Sequence, residues 1–285
     1  MHFVGLDLAW GEKKQTGVAA IDLSGRLLDV GIAQDDAAII DAVAPFTSGD
    51  CVVGFDAPLI VTTSSGFRPA ETAYNRDFQR FDAGAYPAHT GNPLFNPPRA
   101  ATLAAALDLD TNPASTSNRR AIEVYPHPGT VVLFELDKTL KYKKGPFGDR
   151  RRELLKLMTF IEGLDDATPR LRPNRSVAWV ELRRRVEAAT KPAQLDRDED
   201  PVDAVMCAYL ALYWYSRPDD MSIYGDADTG FIVTPSLRPD QLPAPRRRVV
   251  PPPNDELHER LTRVDTLLAE AQLELKTIRE RLYRL

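Results

Sequence analysis

The stretch HFVGLDLA, His2 to Ala9, constrains the chain more than any other. It interrupts apolar residues with Gly5 and Asp7, reads as a buried strand, and carries one carboxylate inside it. An ionised acid there is costly, so Asp7 needs a basic partner, hydrogen-bond donors or a bound cation. The following WGEKKQTG supplies a turn into a second strand, Thr16 to Asp22, which SGR turns into a third, Leu27 to Ala33. Three hairpin-connected strands with an acid in the first form a narrow pattern.

Downstream, Asp35 to Phe46 has helical spacing, and CVVGFDAPL gives a fourth strand, Cys51 to Phe55, whose apolar run suits a parallel strand covered on both faces. It ends on Asp56, a second acid at the C-terminal edge where open α/β sheets place ligands. Residues 62–99 are rich in Pro, Gly, Asn and aromatics, too long for a passive connection, and read as a lid or substrate-binding insertion. Arg99 to Leu107 is a helix, and RRAIEVYPHP supplies a fifth strand, Ala121 to Tyr125, with Glu123 inside it. Helices follow at His127 to Phe134, Arg150 to Ile161 and Ser176 to Ala189. In DRDEDPVDAVMCAYLALYWYS, Val202, Val205, Met206, Tyr209, Leu210 and Tyr213 form one apolar stripe, with Asp200 and Asp203 on the first turn. A short late strand covers Gly230 to Pro235.

At 285 residues and 43% hydrophobic, the chain can bury a full core. A net charge of −5 argues against a uniformly basic nucleic-acid-coating protein but leaves room for a local basic patch. Cys51 and Cys207 sit in apolar surroundings and read as reduced core residues. No charged-then-apolar leader and no run of about 18 uncharged apolar residues occurs, so the expectation is a cytoplasmic protein without a membrane partner. Residues 1–240 form the expected domain and 241–253 a stiff Pro-rich linker. In residues 254–285, Leu261, Leu268, Leu275 and Leu282 recur every seven positions, and Leu257, Val264, Ala271, Ile278 and Leu285 fill the second core position. That is a coiled-coil pattern, fitting a homodimer; an amphipathic helix folded onto its own domain shares much of the same periodicity.

Three antiparallel strands, helix, strand, insertion, helix, strand and further helices give an α/β, RNase H-like order: a mixed five-stranded sheet flanked by helices, followed by a C-terminal coiled-coil helix. The motifs GLDLAWG, VGFDAPL, IEVYPHPG, the basic YKKG and DPVDAVMCAYLA resemble those of the DUF429 family over roughly residues 1 to 240. The resemblance implies an RNase H fold and a metal-dependent nuclease activity; the coiled coil lies outside it.

The chemistry can also be argued from the residues. Phosphodiester hydrolysis needs a nucleophilic water, charge stabilisation on the phosphate and protonation of a leaving oxygen, and two Mg²⁺ or Mn²⁺ ions ~4 Å apart held by carboxylates supply these. In this reading Asp7 anchors both ions, Asp56 holds one, Asp203 approaches from the helix with Asp200 as helper, and Glu123 is a further ligand or supports one. Lys141, Lys143 and Lys144, with Arg68 or Arg76 from the insertion, are candidates for contacting nucleic-acid phosphate. Each has a plainer reading. Asp200 before Pro201 suits a helix N-cap and Asp203 the third helical position; Asp56 suits a turn; Glu123 could pair with Arg119 or a distant Arg; the lysines suit a solvated face. Two other classes stay open: an ATP-binding phosphotransferase of the sugar-kinase or actin type, whose phosphate loop LDLAWGEKKQTG resembles weakly, and a non-catalytic scaffold using the coiled coil.

Overall fold

The computed structural model describes residues 1–9, 11, 14–242 and 254–282; the linker segment 243–253 and Leu285 lie outside the described residues. Two compact units are present, Met1–Leu242 and Pro243–Leu285. In the first, β1 (His2–Asp7), β2 (Thr16–Asp22) and β3 (Leu27–Ala33) pair antiparallel. After α1 (Asp36–Thr47) comes β4 (Cys51–Phe55), which pairs parallel with β1. The insertion holds α2 (Pro69–Phe78), and α3 (Arg99–Ala106) leads to β5 (Arg119–Glu123), parallel to β4. The resulting sheet order, β3-β2-β1-β4-β5, is mixed and RNase H-like. Four helices follow: α4 (Pro126–Leu133), α5 (Phe147–Glu162), α6 (Val177–Ala188) and α7 (Pro192–Ser216).

Side chains alternate across a strand, so Phe3, Gly5 and Asp7 share one face of β1 while Val4 and Leu6 share the other. The face of Gly5 receives α7. A Cβ on Gly5 would collide with the Ala204 carbonyl oxygen and the Ala208 nitrogen, and one on Gly17 with the Asp200 carbonyl oxygen. Only glycine lets a helix backbone lie this close to a strand. Phe3 then meets Tyr215, ring centroids 5.4 Å apart, near the far end of the helix.

The long helix differs from its sequence reading. It starts at Pro192, eight residues before Asp200, so neither Asp200 nor Asp203 is a cap, and Pro201 lies inside it. Proline has no N–H for the Arg197 carbonyl. Gln15, from the β1–β2 connection, donates its Nε2 to that carbonyl at 2.8 Å and to Asp200 Oδ2 at 3.1 Å. Gln194 closes the true start by accepting from the Lys191 N–H at 2.9 Å. Burial is also wider than one stripe: every residue from Pro201 to Leu212 is buried, because α7 packs on the sheet and against α4, α5 and α6. Strand β7 (Gly230–Pro235) does not stand alone but pairs with β6 (Met221–Asp226), whose short, partly exposed sequence MSIYGD gave little strand signal. Cys51 and Cys207 are buried free thiols. Among the described residues, no helix is long and apolar enough to cross a membrane.

The second unit contains α8 (Asn254–Leu282). Leu261, Val264, Leu268, Leu275 and Ile278 are each more than half exposed on it. Burying one leucine is worth about 1.5–3 kcal/mol. If a second copy covers this stripe, light scattering at micromolar concentration should give a dimer for the wild type and a monomer for Leu268→Glu or Leu275→Glu. A monomeric wild type contradicts the coiled-coil reading.

Candidate functional site

The sheet register decides which acids meet. Gly5 pairs with Gly54 and Leu6 with Phe55, so Asp7 and Asp56, each the next residue, leave neighbouring strands on the α7 face. On that face α7 presents Asp196, Glu199, Asp200 and Asp203, spaced i, i+3, i+4 and i+7. Asp7, Asp56, Glu199 and Asp200 line one cleft of about 1580 Å³. Asp203 is buried beneath it and joined to Asp7 through Lys143, whose Nζ lies 2.7 Å from Asp203 Oδ2 and 3.3 Å from Asp7 Oδ2. The other Asp203 oxygen accepts from the Tyr142 hydroxyl at 2.6 Å. Among the described residues, no side chain hydrogen-bonds or ion-pairs with the Asp56 carboxylate.

Glu123 lines the same cleft but takes no part in this cluster. It stands in register with Phe55, one residue out of phase with Asp56, and so belongs to the opposite face. There Arg68 grips it with two bonds, Nη1 to Oε2 at 2.9 Å and Nη2 to Oε1 at 2.5 Å, and the Leu59 N–H donates to Oε2 at 3.1 Å. Arg68 Nε also meets Glu71 Oε1 at 2.9 Å, and Glu71 accepts from the Ala88 N–H at 3.1 Å. The distant arginine is therefore the partner of Glu123. Arg68, 1% exposed with its donors engaged, is a clamp fastening the insertion to the sheet and not a phosphate contact. Arg76, exposed near the end of α2, is not among the residues lining the cleft. The lysines do line it: Lys141 pairs with Asp82 at 3.2 Å, and Lys144 donates to the Tyr86 hydroxyl at 3.2 Å.

Burial pushes the Asp7 carboxyl up to about 7, with the nearby Asp203 and Asp200 carboxylates adding to the shift and Lys143 opposing it. Asp56 is pushed well up by burial and then by Asp7. Burial also raises Asp200 to about 6 and Glu199 to about 7, although Glu199 accepts from Arg150 at 3.0 Å. His127, behind Tyr142, is lowered to about 4 by burial, so it is neutral at pH 7. The sequence did not single out Glu199 and Tyr142. Continuing the α7 spacing back through DRDED would have found Glu199; nothing local marks Tyr142.

These residues can be tested as a seat for a divalent cation. Among the described residues, Asp7, Asp56, Asp200 and Asp203 have one lysine near them, Lys143, and the Asp56 carboxylate has no side-chain partner; all four are the hard oxygen donors that Mg²⁺ and Mn²⁺ prefer. Among the described residues, no three acids, histidines or cysteines already stand in ligating positions; Lys143 holds Asp7 and Asp203 instead. The donor chemistry and charge fit, with Lys143 in the way.

Two outcomes are expected. Arg68→Ala should cost about 3–5 kcal/mol in chemical denaturation, because it strands two buried glutamates; an unchanged midpoint contradicts the clamp. Asp7 binds its proton more tightly folded than unfolded, so its contribution to stability is present below pH ~4 and lost as pH rises through about 7. In EDTA, the Tm of Asp7→Asn minus that of wild type should therefore grow from pH 4.5 to 8, whereas a pH-independent difference contradicts the raised carboxyl.

No curated protein and no solved structure gives a significant match to the chain. A family model does match, over residues 5–229, from the Gly5 that admits α7 to the turn before β7. The chain thus belongs to the DUF429 family, whose description reads "protein of unknown function".

Proposed function

We propose that the protein is a metal-dependent hydrolase of phosphodiester bonds in nucleic acid, with Mg²⁺ or Mn²⁺ held by Asp7, Asp56, Asp200 and Asp203. The observation that carries this reading is the charge imbalance: four carboxylates converge at the sheet's C-terminal edge, and among the described residues the Asp56 carboxylate has no side-chain partner and one lysine, Lys143, ion-pairs with the group. A pair of divalent ions bound there would stabilise charge on the scissile phosphate and lower the pKa of an attacking water.

The chain's own residues supply the rest. Asp7, joined to Asp203 through Lys143, is the anchor, and Asp56, without a side-chain partner among the described residues, the second ligand. Glu199, whose carboxyl burial raises to about 7 in the metal-free protein, faces the cleft and is the group placed to protonate a leaving oxygen. Lys141, Lys143 and Lys144 form a basic run on the cleft wall suited to a phosphate backbone, and a 1580 Å³ opening is ample for a strand. Two buried thiols suit a reducing compartment, in keeping with a cytoplasmic enzyme.

The test is a panel of single-stranded, double-stranded and branched DNA and RNA incubated with the full chain and Mn²⁺. Wild type should cut at least one class, and Asp7→Asn should reduce the rate on the order of a hundredfold or more without unfolding. No cutting by wild type across the panel, or an unfolded Asp7→Asn, overturns the reading.

A further inference from the structure

Lys143 lines the cleft, yet its ammonium is engaged between the two carboxylates best placed to anchor a cation, 2.7 Å from Asp203 and 3.3 Å from Asp7. Mg²⁺ binds carboxylate oxygens at about 2.0–2.1 Å, so an ion joining these two aspartates needs the volume that Nζ now fills. Two cations cannot share it.

The surroundings allow one to leave. Lys143 belongs to the irregular segment between α4 and α5, and its neighbour Tyr142 is held fast: the Tyr142 carbonyl accepts from Arg150 Nε at 2.9 Å, and the Tyr142 ring is buried beside His127. The side chain itself is 30% exposed and reaches the acids through a flexible four-carbon stem. Asp203 is 1% exposed and stays fixed by the Tyr142 hydroxyl. The fixed partners are thus the tyrosine and the aspartate, and the movable one is the lysine. Swung outward, its ammonium would lie on the wall already carrying Lys141 and Lys144.

We propose that Lys143 is a built-in counter-cation, which holds Asp7 and Asp203 together until a divalent ion displaces it and then turns to the phosphate of the substrate. This rests on the cleft being a cation site. It makes Lys143 a positioning residue whose two stations are mutually exclusive, coupling metal loading to phosphate binding. Metal arrival releases a positive charge into the cleft, so a polyanion should bind better to the metal-loaded protein than the metal's own charge would provide.

The experiment is calorimetric titration of MnCl₂ into the full chain, wild type against Lys143→Met, followed by binding of a single-stranded oligonucleotide in Ca²⁺. Removing the competitor should tighten Mn²⁺ binding about tenfold or more, while oligonucleotide affinity in Ca²⁺ falls and its dependence on salt becomes shallower by about one charge. Lys143→Gln, which keeps a polar group beside Asp203 without the charge, should behave like Lys143→Met and serves if the latter does not fold. Equal or weaker Mn²⁺ binding in the folded variant overturns the proposal and leaves the cation site standing. Absence of Mn²⁺ binding in wild type and both variants overturns the cation site itself.

Discussion

The close seating of α7 on the glycine backbones of β1 and β2 is the constraint on which the rest of the domain depends. Because Gly5 and Gly17 have no side chains, the helix comes within backbone contact of the two strands, and its residues are held in fixed register with theirs. Asp200 and Asp203 consequently arrive beside Asp7, the last residue of its strand, and Asp56 reaches the same face from the neighbouring strand by the same alternation. A larger residue at either glycine would lift α7 and separate the acids. The carboxylate cluster is therefore a product of backbone packing first and of charge second.

Holding four acids together is unfavourable, and the surrounding chain shows how the cost is limited. Lys143 answers two of them, Tyr142 donates to one, and Gln15 donates both to Asp200 and to the carbonyl that Pro201 leaves open. The raised carboxyls at Asp7, Asp56 and Asp200 indicate that this compensation is incomplete. On the opposite face burial also raises the Glu123 carboxyl, but there both of its oxygens have partners, Arg68 and the Leu59 N–H, and the same arginine binds Glu71 at the start of α2. One group of acids is neutralised within the fold and ties the insertion to the sheet; the other remains in need of positive charge.

Much of this was legible in the sequence, and the rest was hidden for physical reasons. The strand order followed from apolar runs, and Asp56 was legible as the acid closing one of them; Asp7 read as an acid inside a strand reaching Ala9, whereas β1 ends on it. Glu123 looked equivalent because it is an acid inside an apolar strand, yet it stands in register with Phe55, one residue out of phase with Asp56, and a single residue reverses the face. The start of α7 was misplaced because Asp-Pro is a strong start signal; here a side chain from a distant turn satisfies the carbonyl that proline orphans, which no local pattern announces. Arg68 read as a candidate phosphate contact because its bidentate partner, Glu123, lies 55 residues away. Strand β6 was missed because its half-exposed residues lack the apolar alternation by which strands are recognised.

The central claim is that the Asp7–Asp56–Asp200–Asp203 cluster is built for a cation other than Lys143. Anomalous diffraction from crystals soaked in Mn²⁺ tests it most directly. The account predicts an anomalous peak coordinated by Asp7 and Asp56, with the Lys143 ammonium moved out of the Asp7–Asp203 pair. Crystals saturated with Mn²⁺ that show no peak at these carboxylates, with Lys143 still bridging Asp7 and Asp203, would contradict it.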